Sequence, residues 1–287
     1  MRPPPPRRAR TSTGKTIARP FGIELQIHPS WIISLVILSY AGYEGIVARV
    51  VEPHRTAARF ILAVVFGLSI ATCIVVHELS HSLVARAYGL PVRRITLFAL
   101  GGVSQIEKEA QSPGAEFSIA LAGPLASVVL AGIFGVVEKL LHPAQAGQIG
   151  FWGYLGYLNI LLALFNLVPA FPMDGGRLLR SAIWSFGSRA RATRWAVRVG
   201  RTFAVLAMAG GAIGIVAEPL TGANSGGSFG ALWIILIGFF IYNAAGAAGR
   251  LEGGDRPNEG PRSGSSVMLP GVQTMPGPEH ANTGDHR

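Results

Sequence analysis

Six apolar runs, at residues 30–47, 60–87, 117–137, 151–169, 199–217 and 229–248, set the terms on which this chain can fold. Each is near the ~20 residues that an α-helix needs to cross ~30 Å of hydrocarbon at 1.5 Å per residue. A helix satisfies its backbone hydrogen bonds internally, so it tolerates a medium that offers none. Charged residues make up only 14% of the chain, against ~25% in soluble domains. The Gly and Ala in the runs suit helices that approach closely in lipid. The expected fold is an all-α membrane protein with about six transmembrane helices, surrounded by the lipid bilayer.

Charge supplies the orientation. With six spans, every one of the 25 Lys and Arg except Arg49, Arg55, Arg59 and Lys139 falls on one side. That bias predicts both termini in the cytoplasm and a multi-pass protein of the cell membrane. A net charge of +10 would also suit a nucleic-acid partner. The basic residues, however, sit between apolar runs or at the N-terminus and do not alternate with aromatics, so no nucleic-acid partner is expected. The Pro-rich basic start, residues 1–28, lacks a following short apolar run with a cleavage site, so a cleaved signal peptide is not expected. The lone cysteine, Cys73, lies within an apolar run and forms no internal disulfide; it reads as a small buried hydrophobe.

Two stretches do not read as plain helix. Residues 93–106, RRITLFALGGVSQI, place β-branched and aromatic residues around Gly101-Gly102. This predicts a small membrane-associated β-hairpin with a Gly-Gly turn, packed on protein because free strand edges cannot face lipid. Residues 166–176, NLVPAFPMDGG, put two prolines and two glycines directly after an apolar helix. They predict a break, with irregular backbone that lines a cavity or is buried. The domain reading is a basic N-terminus at 1–28, a six-span body at 29–250 and a disordered cytoplasmic tail at 251–287, rich in Gly, Pro, Ser and Asn.

Few acidic residues fall inside apolar runs. Glu116 opens the third run and reads as an end residue. Glu78 lies mid-run in His77-Glu78-Leu79-Ser80-His81, an HExxH pattern. Residues four apart share a helical face, so two imidazoles can reach one Zn²⁺. The Glu beside the first ligand lies near the metal without binding it. There it can take a proton from an activated water and deliver it to a leaving amine. A charge at depth in lipid is costly and normally has a partner and a function; the alternative is a buried polar network that glues helices.

Catalytic zinc uses three protein ligands and leaves one position open. The third could be His28, His54, His142 or a carboxylate. Asp174, in apolar surroundings beside Gly175-Gly176, is the carboxylate left unexplained, and we assign it as the third ligand; as a plain turn residue it would cap the next helix.

The paired elements His77–His81 and Asn166–Gly176 resemble the signatures of the site-2 protease family of intramembrane zinc metalloproteases, over roughly residues 20–250. The resemblance implies one zinc ion per chain, bound by His77, His81 and Asp174 with Glu78 as the catalytic residue. It implies that Asn166 helps to hold the substrate strand or an oxyanion. Gly101 and Gly102 match the family's hairpin, which is expected to pair with an extended substrate. Ala122-Gly123-Pro124-Leu125 also matches, though a packing kink explains Gly123-Pro124 equally well. His28 resembles a residue near the first span in one branch and reads as a structural histidine. The implied substrates are single-pass transmembrane proteins, anti-sigma factors among them. The short 107–114 connection leaves no room for a PDZ domain, and the tail is too poor in apolar residues for CBS domains.

Two rivals share these ligands. A metal transporter would show internal repeats and a path of ionisable residues, neither of which is visible. A non-catalytic membrane scaffold would not need His77, Glu78, His81 and Asp174 all intact. Oligomeric state is left open by the sequence.

Overall fold

A computed structural model describes residues 14–48, 51, 54–98, 101–106, 110–141, 149–221 and 227–253. Seven α-helices and four strands are formed among them. Helix α1 (Trp31–Gly42) runs on into a π-turn (Tyr43–Val47). Then follow α2 (Thr56–Ala87), α3 (Pro113–Leu141), α4 (Phe151–Asn166), α5 (Asp174–Trp184), α6 (Arg189–Thr221) and α7 (Gly227–Gly253). Four of these, α2, α3, α6 and α7, are long and apolar enough to cross a membrane. The other two are shorter: α1 with its π-turn covers Trp31–Val47, close to the expected run, whereas α4 stops short of its run at residue 169. The 16 residues of α4 rise only ~24 Å, because the chain breaks at Leu167 ahead of Pro169 and Pro172. The tail at 254–287 lies outside the described residues, and α7 extends into the segment expected to begin it.

The helices pack through small residues. A Cβ on Gly42 would stand 2.8 Å from Phe66 Cγ, and one on Gly67 3.0 Å from the Ser39 backbone nitrogen. Glycines therefore bring α1 and α2 together more closely than any larger residue allows. Large apolar side chains such as Val36 and Ile37 on α1, Phe60 and Ile61 on α2, Val129 and Ile133 on α3 and Leu232 and Phe239 on α7 remain exposed. So broad an apolar surface suits lipid, not water. Glu138, near the end of α3, accepts hydrogen bonds from Gly150 N and Gly153 N at 2.9 Å each. It satisfies amides at the start of α4 that have no partner within the helix.

Helix α2 ends in a Schellman motif. Gly89 takes φ +75°, the left-handed conformation that glycine adopts without strain. Gly89 N donates to Arg86 O at 2.9 Å and Leu90 N to Ala85 O at 3.0 Å. The chain then passes directly into the sheet.

That sheet is larger than a hairpin. Its order is β1 (Lys15–Ala18), β2 (Glu24–Ile27), β3 (Val92–Phe98), β4 (Gly101–Ile106). Strands β1 and β2 arise within the segment read as a basic N-terminal extension, and β2 pairs parallel to β3. The expected Gly-Gly turn is corrected by the register: Gly101 pairs with Phe98 and Gly102 with Leu97. The glycines therefore begin β4, and the reversal falls between Phe98 and Gly101. Ile23, Leu25, Ile95 and Leu97 form one core with Ala85 of α2 and Ile119 of α3. The sheet is thus packed on the helices that carry the candidate site.

Candidate metal centre

His77 and His81 lie one turn apart on α2, both buried, on the face that meets α3. Each ring is held through Nδ1. His77 Nδ1 lies 2.9 Å from Ser127 Oγ. His81 Nδ1 lies 2.6 Å from the carbonyl oxygen of Ile119. A carbonyl only accepts, so His81 carries its hydrogen on Nδ1 and presents a lone pair at Nε2.

Asp174 closes the arrangement from α5. Its Oδ2 lies 3.2 Å from His77 Nε2 and 3.1 Å from His81 Nε2, and the two nitrogens are 3.2 Å apart. The acceptor nitrogen of His81, the Nε2 of His77 and a carboxylate oxygen face one another at the range at which such groups share a cation. Ligands ~2.0–2.1 Å from a tetrahedral zinc stand ~3.3 Å from each other. The triangle therefore has the size of one tetrahedral face, with a fourth vertex left for another ligand, and the donor set fits zinc. Among the described residues this is the cluster of three metal-ligating side chains; His28 and His54 do not join it. His142 lies outside the described residues. Glu78 is half-buried beside the cluster, next in sequence to His77.

The broken segment explains how Asp174 arrives there. Asp174 is the first residue of α5, and its side chain turns to the imidazoles. Ala170 and Met173 are buried against Ala204 of α6 and Ile241 of α7, so the irregular backbone is covered by protein. The two glycines are required by close approach. A Cβ on Gly176 would stand 2.7 Å from the carbonyl carbon of Ala170, and one on Gly175 would overlap the Leu167 carbonyl.

Gly123 has a role beyond a packing kink. A Cβ there would stand 2.6 Å from His77 Nε2 and closer still to His81 Nε2. It is the floor on which the imidazoles rest. Ser127, one turn further along α3, then reaches His77. The spacing of four between Gly123 and Ser127 is a signal that sequence reasoning could have used. His28 belongs to the start of α1: its Nδ1 accepts from Ser30 N at 3.2 Å and lies 2.8 Å from Ser30 Oγ. Asn166 ends α4, and its Nδ2 donates to Leu162 O at 2.9 Å. Gly101 and Gly102 lie in the sheet, with β4 at its edge. Glu116, read as an end residue, is instead buried and paired with Arg180 of α5.

The sequence profile described as Peptidase family M50 matches residues 65–142 and 130–208. A Synechocystis protein with a zinc-metalloprotease name, sll0528, is 40% identical over 240 residues, covering 80% of this chain and 58% of the relative. The Mycobacterium tuberculosis protein Rip3, likewise named as a zinc metalloprotease, is 33% identical over 234 residues, covering 80% of this chain and 57% of its own length. The chain thus spans less than two thirds of these two relatives. The solved structure titled Site-2 Protease from Methanocaldococcus jannaschii aligns with a TM-score of 0.51 at 27% identity, over 83% of this chain and 95% of that one.

Proposed function

The chain belongs to peptidase family M50, and from that premise we propose that it hydrolyses peptide bonds within or beside the transmembrane segment of single-pass membrane proteins. The observation that carries the reading is the triangle of His77 Nε2, His81 Nε2 and Asp174 Oδ2, 3.1–3.2 Å on each side, with Glu78 adjoining it. His77, His81 and Asp174 would hold one zinc ion, the metal in the relatives' names. Bound there, zinc supplies Lewis acidity and lowers the pKa of water towards ~7.

The chain's own residues do the rest. Ser127 and Ile119 fix the two rings and keep Nε2 directed at the centre. Glu78 adjoins the ligands without joining them, so its carboxylate is available to accept a proton from the attacking water and return it to the leaving amine. The substrate must be extended, because a helix hides its carbonyls in its own hydrogen bonds. Strand β4 is an edge with Gly101 and Gly102 at its start, and an extended substrate would add to that edge. Asn166 would orient the strand or donate to a developing oxyanion. Both termini lie in the cytoplasm in this reading, and anti-sigma factors are a fitting substrate class.

Glu78→Gln tests the assignment. The variant should retain about one zinc per chain and lose ~10²–10⁴-fold in cleavage of a co-expressed single-pass substrate. Cleavage at the wild-type rate would exclude Glu78 as the proton carrier. Comparing membrane-protein fragments in cells with the two forms would identify substrates.

A further inference from the structure

Glu116 is a buried carboxylate that the hydrolytic reading leaves unused. It is 1% exposed at the start of α3. Arg180 of α5 reaches it with Nε at 2.8 Å from Oε1, and Nη2 bonds to the same oxygen. The other oxygen, Oε2, is buried without a hydrogen-bond partner. The Arg180 guanidinium also lies over the ring of Phe171, 5.2 Å from its centroid, and Phe171 is itself 7% exposed.

These contacts straddle the third ligand. Phe171 precedes Asp174 by three residues, and Arg180 follows it on the same helix. Glu116 precedes by about one turn of α3 the Ile119 carbonyl that holds His81 Nδ1. One guanidinium thus ties both flanks of Asp174 to the turn that orients His81. A pair needed only for cohesion could be replaced by apolar residues of similar volume at little loss, whereas a fork bonded in a set direction also fixes orientation.

We propose that the Glu116–Arg180 pair, with Phe171, is a positioning device that sets Asp174 against the two imidazoles and so tunes metal affinity. This rests on the metal reading above. Neither residue touches the reacting atoms; both act through Asp174 and His81. Groups that orient metal ligands from behind typically change affinity 10–100-fold when altered.

The test uses the full chain in detergent, with zinc affinity from chelator competition, thermal unfolding, and substrate cleavage measured in parallel. Glu116→Gln and Arg180→Met should each weaken zinc binding 10–100-fold. The double variant Glu116→Leu/Arg180→Met should recover the unfolding temperature lost by Arg180→Met while zinc affinity stays low. Arg180→Lys keeps the charge but loses the planar fork, and it should fold and still bind zinc at least ~10-fold more weakly. Wild-type zinc affinity in Arg180→Lys, or in the double variant, would overturn the proposal. A wild-type chain that binds zinc but cleaves nothing would remove the hydrolytic reading and leave this one standing. A wild-type chain that binds no zinc would remove both.

Discussion

Gly123 lies so close beneath His77 that a methyl group on its Cα would come within 2.6 Å of Nε2. Gly123→Ala should therefore push both rings off the metal position while favouring the helix itself, since Ala exceeds Gly in helix propensity by ~1 kcal/mol. The expected outcome is a folded protein whose zinc affinity falls at least ~10-fold. Equal zinc content after dialysis against a chelator would show that the floor is not needed.

Ser127 holds His77 through the nitrogen that faces away from the cluster, at 2.9 Å. Ser127→Ala removes that partner without adding bulk. Zinc affinity should fall ~10–100-fold, less than for removal of a ligand by His77→Ala, and Ser127→Thr should retain more of it than Ser127→Ala. Competition titration with a chromophoric chelator ranks the three.

Gly175 and Gly176 face a different constraint, the backbone of residues 167–171. Ala at either position must displace a carbonyl or an amide, and neither can swing aside as a side chain does. Forced overpacking of this kind costs about 1–3 kcal/mol, occasionally more. Thermal unfolding of Gly176→Ala should show that loss together with weakened zinc binding, because the same backbone leads into Asp174. An unchanged unfolding temperature would mean that the loop yields.

What was legible before the structure was what local pattern encodes. His77 and His81 share a face because 3.6 residues make a turn, and Asp174 stood out because prolines and glycines broke an apolar run. The pairing of Arg180 with Glu116 is not legible in the sequence because the two are 64 residues apart, with no periodicity to link them. The parallel pairing of β2 with β3 was hidden for the same reason: a parallel pair needs a long crossover, and here α1 and α2 intervene. Gly101-Gly102 points to the wrong turn because a glycine pair is the usual hairpin signal. The register follows instead from burying Ile95 and Leu97 against α2 and α3.

Metal removal offers the last check, because it separates the three ligands from the scaffold that holds them. The contacts of the imidazoles with Ser127 and Ile119, and of Arg180 with Glu116, do not run through the metal. The helices should therefore stay folded, and only the stabilisation from ligand binding should be lost. That term is ~2.7 kcal/mol when free zinc is 100 times its Kd. At ~2–4 °C per kcal/mol for chains of roughly this size, chelation should lower the unfolding temperature by about 5–11 °C, and added zinc should restore it. Asp174→Asn should unfold near the temperature of the stripped wild type and respond little to zinc, since a neutral amide is a poor ligand beside two imidazoles. A variant that still gained the full shift would have found its third ligand elsewhere, and Asp174 would lose its assigned place.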